Sequence, residues 1–473
     1  MKTILILISI FFCNMAKADF FKNITNIIEN NTDRLSYGIS VTDFNKDGNY
    51  EFIVTGFGYS NLALKYEKGK LVNSIKNQIF LDTNRKSIGV SACDIDQDGF
   101  EEVYFLNTDT YSGKKKYSDR LIDFDDKKIF DYFEIKENLE SLNLTAGRSV
   151  TCVDRTGLGK YSIYVANYGG PTRLYEMKDT KIVDIASLLN IDQITGGRAV
   201  VAGHIVSDQI DIFAANERGP NFLYKNTNGI FTEIAKEKKI QDIFQNGRGT
   251  ALTDFDYDGQ LDIVTGNWNG YHRILVNDGN YFVDKSSLDF KYPTRIRTII
   301  SADFDNDGYD EIFMNNIGQP NKLFKILDNG ILKEIPLKNA LEPNGLGTGA
   351  AVADIDNDGI LELLVSHGES GAQPLSLFKA NVDENSTFIR IKPLNFFGAP
   401  ARGATVTLHT NFRSHAKTID SGSGYLCQME PVAHYGIREG EKIKSISIKW
   451  TNGNIDEFEI NDINKTIEYK QTI

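Results

Sequence analysis

The sequence predicts an all-β protein, a seven-bladed β-propeller followed by a small C-terminal β domain. Three observations point there. An acidic nine-residue motif recurs at intervals of about fifty residues, the length of a propeller blade. Short apolar runs bounded by Gly, Asn and Asp flank each copy, with no long helical periodicity. Near Asn385 the repeat stops and the chain changes character.

The motif reads Asp-x-Asp/Asn-x-Asp-Gly-x-x-Asp/Glu and begins at Asp43, Asp94, Asp254, Asp303 and Asp354. The long interval after Asp94 holds two degenerate copies. One runs from Asp154 to Ser162 and leads into Ile163-Tyr-Val-Ala-Asn167; the other spans about Gly203 to Asp211 and leads into Ile212-Phe-Ala-Ala-Asn216. Seven units result.

Each unit reads as four strands. A run such as Ile299–Ala302 or Ala350–Ala353 precedes the acidic loop, and one such as Leu363–Val365 follows it. After a Gly/Asn-rich loop come a third strand, typified by Lys322–Phe324, and a fourth, typified by Phe231–Ile234. The seventh unit has no fourth strand after Leu375–Phe378, whereas Phe20–Ile24 reads as an orphan strand. It is expected to complete the last blade and cover its edge. The domains expected are an export signal (1–18), the propeller (19–384) and the C-terminal domain (385–473).

Carboxylates at positions 1, 3, 5 and 9 would repel one another without a cation. Calcium takes six to eight oxygen ligands, and Gly at position 6 allows the sharp turn around it. The expected ligands are Asp43, Asn45, Asp47 and Glu51; Asp94, Asp96, Asp98 and Glu102; Asp254, Asp256, Asp258 and Asp262; Asp303, Asp305, Asp307 and Glu311; and Asp354, Asp356, Asp358 and Glu362. An EF-hand would need Glu at position 12, but that position holds Val54, Phe105, Thr265, Met314 and Val365. Acidic loops also make good turns, yet five copies in phase argue for metal. About five Ca²⁺ ions are expected, with none in units three and four. They would bring the net charge of −12 close to neutrality.

Met1-Lys2-Thr3, the apolar run Ile4–Cys13 and Ala16-Lys17-Ala18 have the three parts of an export signal. The run is too short to span a bilayer, and no later segment is apolar enough. A secreted or periplasmic protein without a membrane span follows. Three cysteines remain after cleavage. Cys93 and Cys152 occupy near-equivalent places in adjacent units, so a bridge and free buried thiols both stand open. The negative charge argues against nucleic acid or anionic membrane as the main partner.

Arg148, Arg248 and Arg297 each lie six residues before a motif start, and Arg198 is nearly in register. Six strand residues span about 20 Å, which places these arginines around the channel mouth opposite the acidic loops. The loops after the second strands add Arg218, Trp268, His272, Arg273, His367 and Glu369 to that face. Such a mouth suggests an anionic ligand, a sugar acid or an acidic peptide. Alternatively, each Arg pairs with an acid of a neighbouring blade. The partner expected is an extracellular or envelope protein or an acidic glycan, bound by a monomer.

Ser366-His367-Gly-Glu369-Ser-Gly371 lacks a full Gly-x-Ser-x-Gly elbow and its strand–turn–helix context. The six histidines are scattered. No catalytic residue is assigned, and a binding scaffold rather than an enzyme is expected.

The five loops resemble the FG-GAP/VCBS repeats of integrin-like propellers. Gly398-Ala-Pro-Ala-Arg402-Gly403, Gly422-Ser-Gly-Tyr425 through Pro431-Val-Ala-His434-Tyr-Gly436, and Trp450-Thr-Asn-Gly453 resemble an ASPIC/UnbV domain. Together with Gly196-Gly-Arg198, Asn267-Trp268-Asn-Gly270 and Ser366-His367-Gly-Glu369, the combination is similar to the cartilage acidic protein family. That resemblance implies an extracellular calcium-binding protein with interaction or matrix roles. Animal members carry a further Cys-rich EGF-like tail, so no animal-specific function is expected of this chain.

Overall fold

The structure, a computed structural model, describes residues 19–125, 128–460 and 462–472. The export-signal reading at 1–18 lies outside them. Seven inner strands surround a central channel: Ser36–Thr42, Ser87–Cys93, Gly147–Val153, Ile194–Gly203, Gly247–Thr253, Ile296–Ala302 and Gly347–Ala353. Each packs beside the next, and the seventh packs against the first, which closes the ring. Three further antiparallel strands extend outward from each. Blades 3 and 4 also join, because the long strand Ser162–Pro171 pairs with the start of Ile194–Gly203.

Blade 7 takes its outer strand from the start of the described chain. Phe21–Asn23 pairs antiparallel with Ser376–Ala380, Phe21 opposite Ala380. Phe21 is fully buried, edge-on to Phe304 and Phe313 of blade 6. That apolar anchor explains why so short a strand docks there.

The C-terminal domain is two small sheets. Thr387–Leu394 runs antiparallel to Ala433–Ile437 and parallel to Thr466–Lys470. The second sheet orders Ser414–Thr418, Thr405–Thr410, Ile443–Lys449 and Ile455–Phe458. Ile391, Val406, Leu408, Tyr435, Ile448 and Trp450 form a core of its own.

Between Thr418 and Ala433 the chain leaves this domain and plugs the channel of the propeller. The Cys152 N–H donates to Ser421 O (2.8 Å), Gly424 and Thr250 exchange backbone bonds, and the Val90 N–H donates to Leu426 O (3.2 Å). Gln428 pairs with Ile39 and Val41 through its backbone, while its amide bridges the Ala92 backbone and the Ser40 hydroxyl. The Ser421 hydroxyl donates to Ala202 O, and the Glu430 N–H to Val352 O. Inner strands such as Gly347-Thr-Gly-Ala-Ala-Val-Ala353 are rich in small residues, which leaves room for this segment. A Cβ on Gly38 would lie 2.4 Å from Leu426 O, and Gly422 holds a φ of 141° against blade 3. Tyr425, Leu426, Cys427 and Met429 consequently belong to the same apolar core as the blades.

Arg402 anchors the plug. It is fully buried; it pairs with Glu101 of blade 2 through Nε (2.6 Å) and Nη2 (3.0 Å) and donates to Val41 O of blade 1. Its Nη1 holds both ends of the plug, at Asp420 O (2.8 Å) and Met429 O (2.9 Å). Of the two states left open for the cysteines, the structure shows the bridge: Cys93–Cys152 joins the inner strands of blades 2 and 3, and Cys427 is free and buried.

Arg402→Met strands Glu101 in the interior, and breaking a buried pair this way costs about 3–5 kcal/mol. Urea unfolding should show that loss, and adding Glu101→Gln to Arg402→Met should restore part of it.

Candidate functional site

The five complete acidic loops share one geometry. The position-6 glycines, Gly48, Gly99, Gly259, Gly308 and Gly359, have φ between 83° and 92°, where a side chain is strained. The glycine N–H donates to the position-1 carboxylate at 2.9–3.1 Å. The position-9 residue opens the second strand and accepts the position-2 N–H with one oxygen, as Glu102 does from Ile95 (2.7 Å) and Asp262 from Phe255 (2.9 Å). The other oxygen differs between loops: that of Asp262 accepts the Asn277 N–H (2.8 Å), whereas Glu102 Oε1 is left for the centre of its loop.

Four sets bring carboxylate oxygens within 4.8 Å of one another: Asp94, Asp96 and Glu102; Asp254, Asp256 and Asp262; Asp303, Asp305 and Glu311; Asp354, Asp356 and Glu362. In blade 1 Asn45 completes the set by donating to Glu51 (2.6 Å). Glu102 Oε1, Asp254 Oδ1 and Asp303 Oδ1 are buried without a hydrogen-bond partner among the described residues. Burial, together with neighbouring carboxylates, pushes Asp94, Asp254, Asp262 and Glu362 up to about 8. Orphaned oxygens in so acidic a cluster fit a metal cation. In blades 1, 6 and 7 an ammonium enters from the third strand. Lys325 reaches Asp305, Asp307 and Glu311 (2.9, 2.6 and 2.9 Å), Lys379 reaches Asp356, Asp358 and Glu362, and Lys65 reaches Asp47.

The same face carries the C-terminal domain. The first Asp of four loops also contacts it: Asp154 accepts from Thr451, Asp254 from the Ala416 N–H (2.8 Å) and Asp303 from the Gly436 N–H (2.8 Å), while Asp354 forms an ion pair with Arg390 (3.2 Å). This accounts for Asp154 in a loop that has lost its other ligands. Arg390 also holds Glu430 of the plug (2.7 Å). The loops therefore face the second domain, an arrangement absent from the repeat pattern.

At the other end of the channel, Arg148, Arg198, Arg248 and Arg297 converge, all buried. Arg198 pairs with Glu217 and donates to the Tyr425 hydroxyl (3.3 Å) at the tip of the plug. Arg248 is 3.4 Å from the same Glu217, and Arg297 pairs with Glu369. Among the described residues Arg148 has no carboxylate partner; it donates to the backbone carbonyls of Gly147 and Tyr111. Trp268 lies beneath Arg297 (4.2 Å) and Arg248 (5.4 Å), and Tyr168 beneath Arg198 (4.6 Å) and Arg148 (5.3 Å). Burial alone would raise the Tyr425 phenol, but the four guanidiniums outweigh it and hold it below its ordinary value. Pairing with acids thus accounts for part of the ring, not all of it. Tyr425, Glu217, Tyr111 and Tyr168 are the members that repeat spacing does not reveal.

Comparison with known proteins follows the same division. The ASPIC and UnbV model matches residues 398–473, and the FG-GAP-like repeat model matches 254–314 and 303–365. Cartilage acidic protein 1 of Xenopus tropicalis is 43% identical over 90% of this chain and 72% of its own length. The Homo sapiens protein is 43% identical over 92% and 72%, and that of Mus musculus 42% over 92% and 74%. The chain belongs to the cartilage acidic protein family. Among solved structures, BBS1N in complex with ARL6DN aligns with a TM-score of 0.47 at 11% identity, covering 77% of this chain and 98% of that one.

In this family member two expected mouth residues are elsewhere. His272 and His367 are buried inside blades 5 and 7 and do not reach the arginines. In blades 4 and 6 the side-chain oxygen of Asn221 (3.1 Å) or Asn321 (2.8 Å) accepts the N–H of the last residue of the second strand, Asn216 or Asn316, five residues earlier. His272 Nδ1 does the same for Asn267 (3.0 Å). Asn216 and Asn316 in turn donate to the carbonyls of Pro220 and Pro320 (both 2.7 Å), and His367 Nδ1 takes that role toward Pro374 O (2.7 Å). Both histidines fill asparagine slots that close a loop. Arg273 likewise pairs with Asp242 and Asp284, and the Ser366 hydroxyl is engaged with Tyr37 O and the Gly349 N–H.

Burial lowers His272 to about 4, so its neutral form stabilises the fold above the unfolded value of about 6.5. That contribution is lost as pH falls below it. His272→Asn should keep the stability within about 1 kcal/mol, while His272→Ala should lose about 1–3 kcal/mol. Melting curves from pH 7 to 4 should show less acid sensitivity for His272→Asn than for the parent chain.

Proposed function

We propose that this protein is an exported binding scaffold of the extracellular space or cell envelope, with calcium in its acidic loops as a structural brace, and not an enzyme. The observation that carries this reading is the convergence of buried, partly unpartnered carboxylate oxygens in repeated loops. Calcium would be held by the position 1, 3, 5 and 9 side chains of blades 1, 2, 5, 6 and 7, supplying the positive charge that those carboxylates lack. The position-1 carboxylates of blades 5 and 6 also accept from the C-terminal domain, and that of blade 7 forms an ion pair with its Arg390, so the brace extends to both domains.

Export is supported by the Cys93–Cys152 bridge, since disulfides persist in oxidising compartments. Among the described residues, no helix is long and apolar enough to cross a membrane. The family relationship supports an extracellular site and a partner bound by contact. The arginine mouth, on the face left open by the C-terminal domain, is the surface for that partner.

Titration calorimetry on the chelator-treated chain should give about five calcium ions per chain, with the loop of blade 5 tightest, since Lys46 reaches Asp98 of blade 2 (2.9 Å) while no lysine among the described residues pairs with the blade 5 carboxylates. Lys379→Met should tighten one of the weaker sites, and Asp262→Asn should remove one strong site. Calcium should raise the melting temperature of the parent chain. A chain that neither binds calcium nor changes its melting temperature on chelation would exclude the brace.

A further inference from the structure

The open mouth is a cavity of about 470 Å³ lined by the four arginines together with Tyr37, Phe57, Tyr111, Trp268 and Tyr425. That size suits a few residues of a ligand. We infer that it is a composite carboxylate pocket, in which Arg148 and Arg248 of the propeller, over the Tyr425 floor supplied by the C-terminal plug, take an acidic side chain of a peptide segment. The inference rests on the scaffold reading above and names the chemistry of its partner.

Charge balance selects those two arginines. Four guanidiniums face the cavity with three carboxylates, Glu217, Glu369 and Asp109. Glu369 is taken by Arg297, and Glu217 is taken mainly by Arg198. Asp109 turns both oxygens to the Lys116 N–H (3.1 and 2.9 Å). Arg148 is left with backbone carbonyls and the distant Thr108 hydroxyl (3.5 Å). Arg248 shares Glu217 only at 3.4 Å and donates to Gly247 O (3.0 Å), and among the described residues its buried Nε has no hydrogen-bond partner. A buried guanidinium is costly unless paired, and a carboxylate entering the mouth would supply the missing acceptor oxygens.

The walls decide between possible carriers of that carboxylate. Tyr59, Phe244 and Tyr271 are exposed, in loops at the same end of the inner strands as the arginines, since Gly247 lies opposite Asn267 and Gly56 opposite Ser36. An acidic residue flanked by apolar ones matches a charged centre inside an apolar rim. A uronic-acid polymer would instead bring repeated charges against Glu217, Glu369 and Asp109. Tyr425 and Leu426 come from the C-terminal domain, so the pocket is incomplete without it.

The test uses the full chain with calcium and follows its intrinsic fluorescence, because one of its two tryptophans is Trp268 in the pocket and the other, Trp450, is buried. The probes are the blocked peptide Ala-Phe-Glu-Phe-Ala, its Gln counterpart and glucuronic acid. The Glu peptide should bind about tenfold or more tightly than the Gln peptide, as expected for one charge-assisted contact. The R148M/R248M double variant should lose a similar factor, with its calcium-dependent melting retained as evidence of an intact ring. Equal binding of the two peptides, no response to the Glu peptide, unchanged affinity in the double variant, or glucuronic acid binding more tightly than the Glu peptide would each overturn the inference. The comparison of peptides on the parent chain decides the matter even if the double variant does not fold. Calcium stabilisation would separately show whether the scaffold reading stands.

Discussion

Everything else in this structure depends on the channel being filled. A ring of seven blades leaves an axial space lined by the inner strands, and here the segment between Thr418 and Ala433 occupies it. The plug adds no regular strand, yet it hydrogen-bonds to six of the seven inner strands and joins their apolar core. Buried backbone groups must be paired, and here the two domains satisfy one another. Arg402 fixes the geometry by tying both ends of the plug to Glu101. The C-terminal domain is thereby an axle of the propeller as well as an appendage.

That axle gives the two faces different tasks. On one, the acidic loops combine possible metal coordination with docking, because each position-1 aspartate in blades 5, 6 and 7 serves its own loop and the second domain at once. On the other, Tyr425 emerges among four arginines. The two faces are about 20 Å apart along the inner strands, and the plug is the continuous element between them.

Much of this was legible in the sequence because it is local or periodic. The acidic loops declare themselves through ligand spacing and a left-handed glycine within nine residues. The arginines share a fixed offset from those loops, so strand register alone carries them to the opposite face. A repeat lacking its last strand points to Phe20–Ile24, and the observed Phe21–Asn23 lies in that place. The plug has no such signal. Its partners, Gln428 with Ser40 and Ser421 with Cys152, are far apart in sequence and irregular in conformation. His272 and His367 mislead for the opposite reason. Residue type suggests chemistry, while their slots in the repeat, filled by asparagine in other blades, show a loop-closing role.

Hydrogen exchange of residues 419–432 in the full chain, with and without calcium, tests the central claim most directly. If the plug is the axle, the amides of Gly424, Gln428 and Glu430 will be protected to the same degree as those of Val41, Val90 and Thr250, and chelation will lower both sets together. Rapid exchange of the plug beside a protected ring would contradict the account.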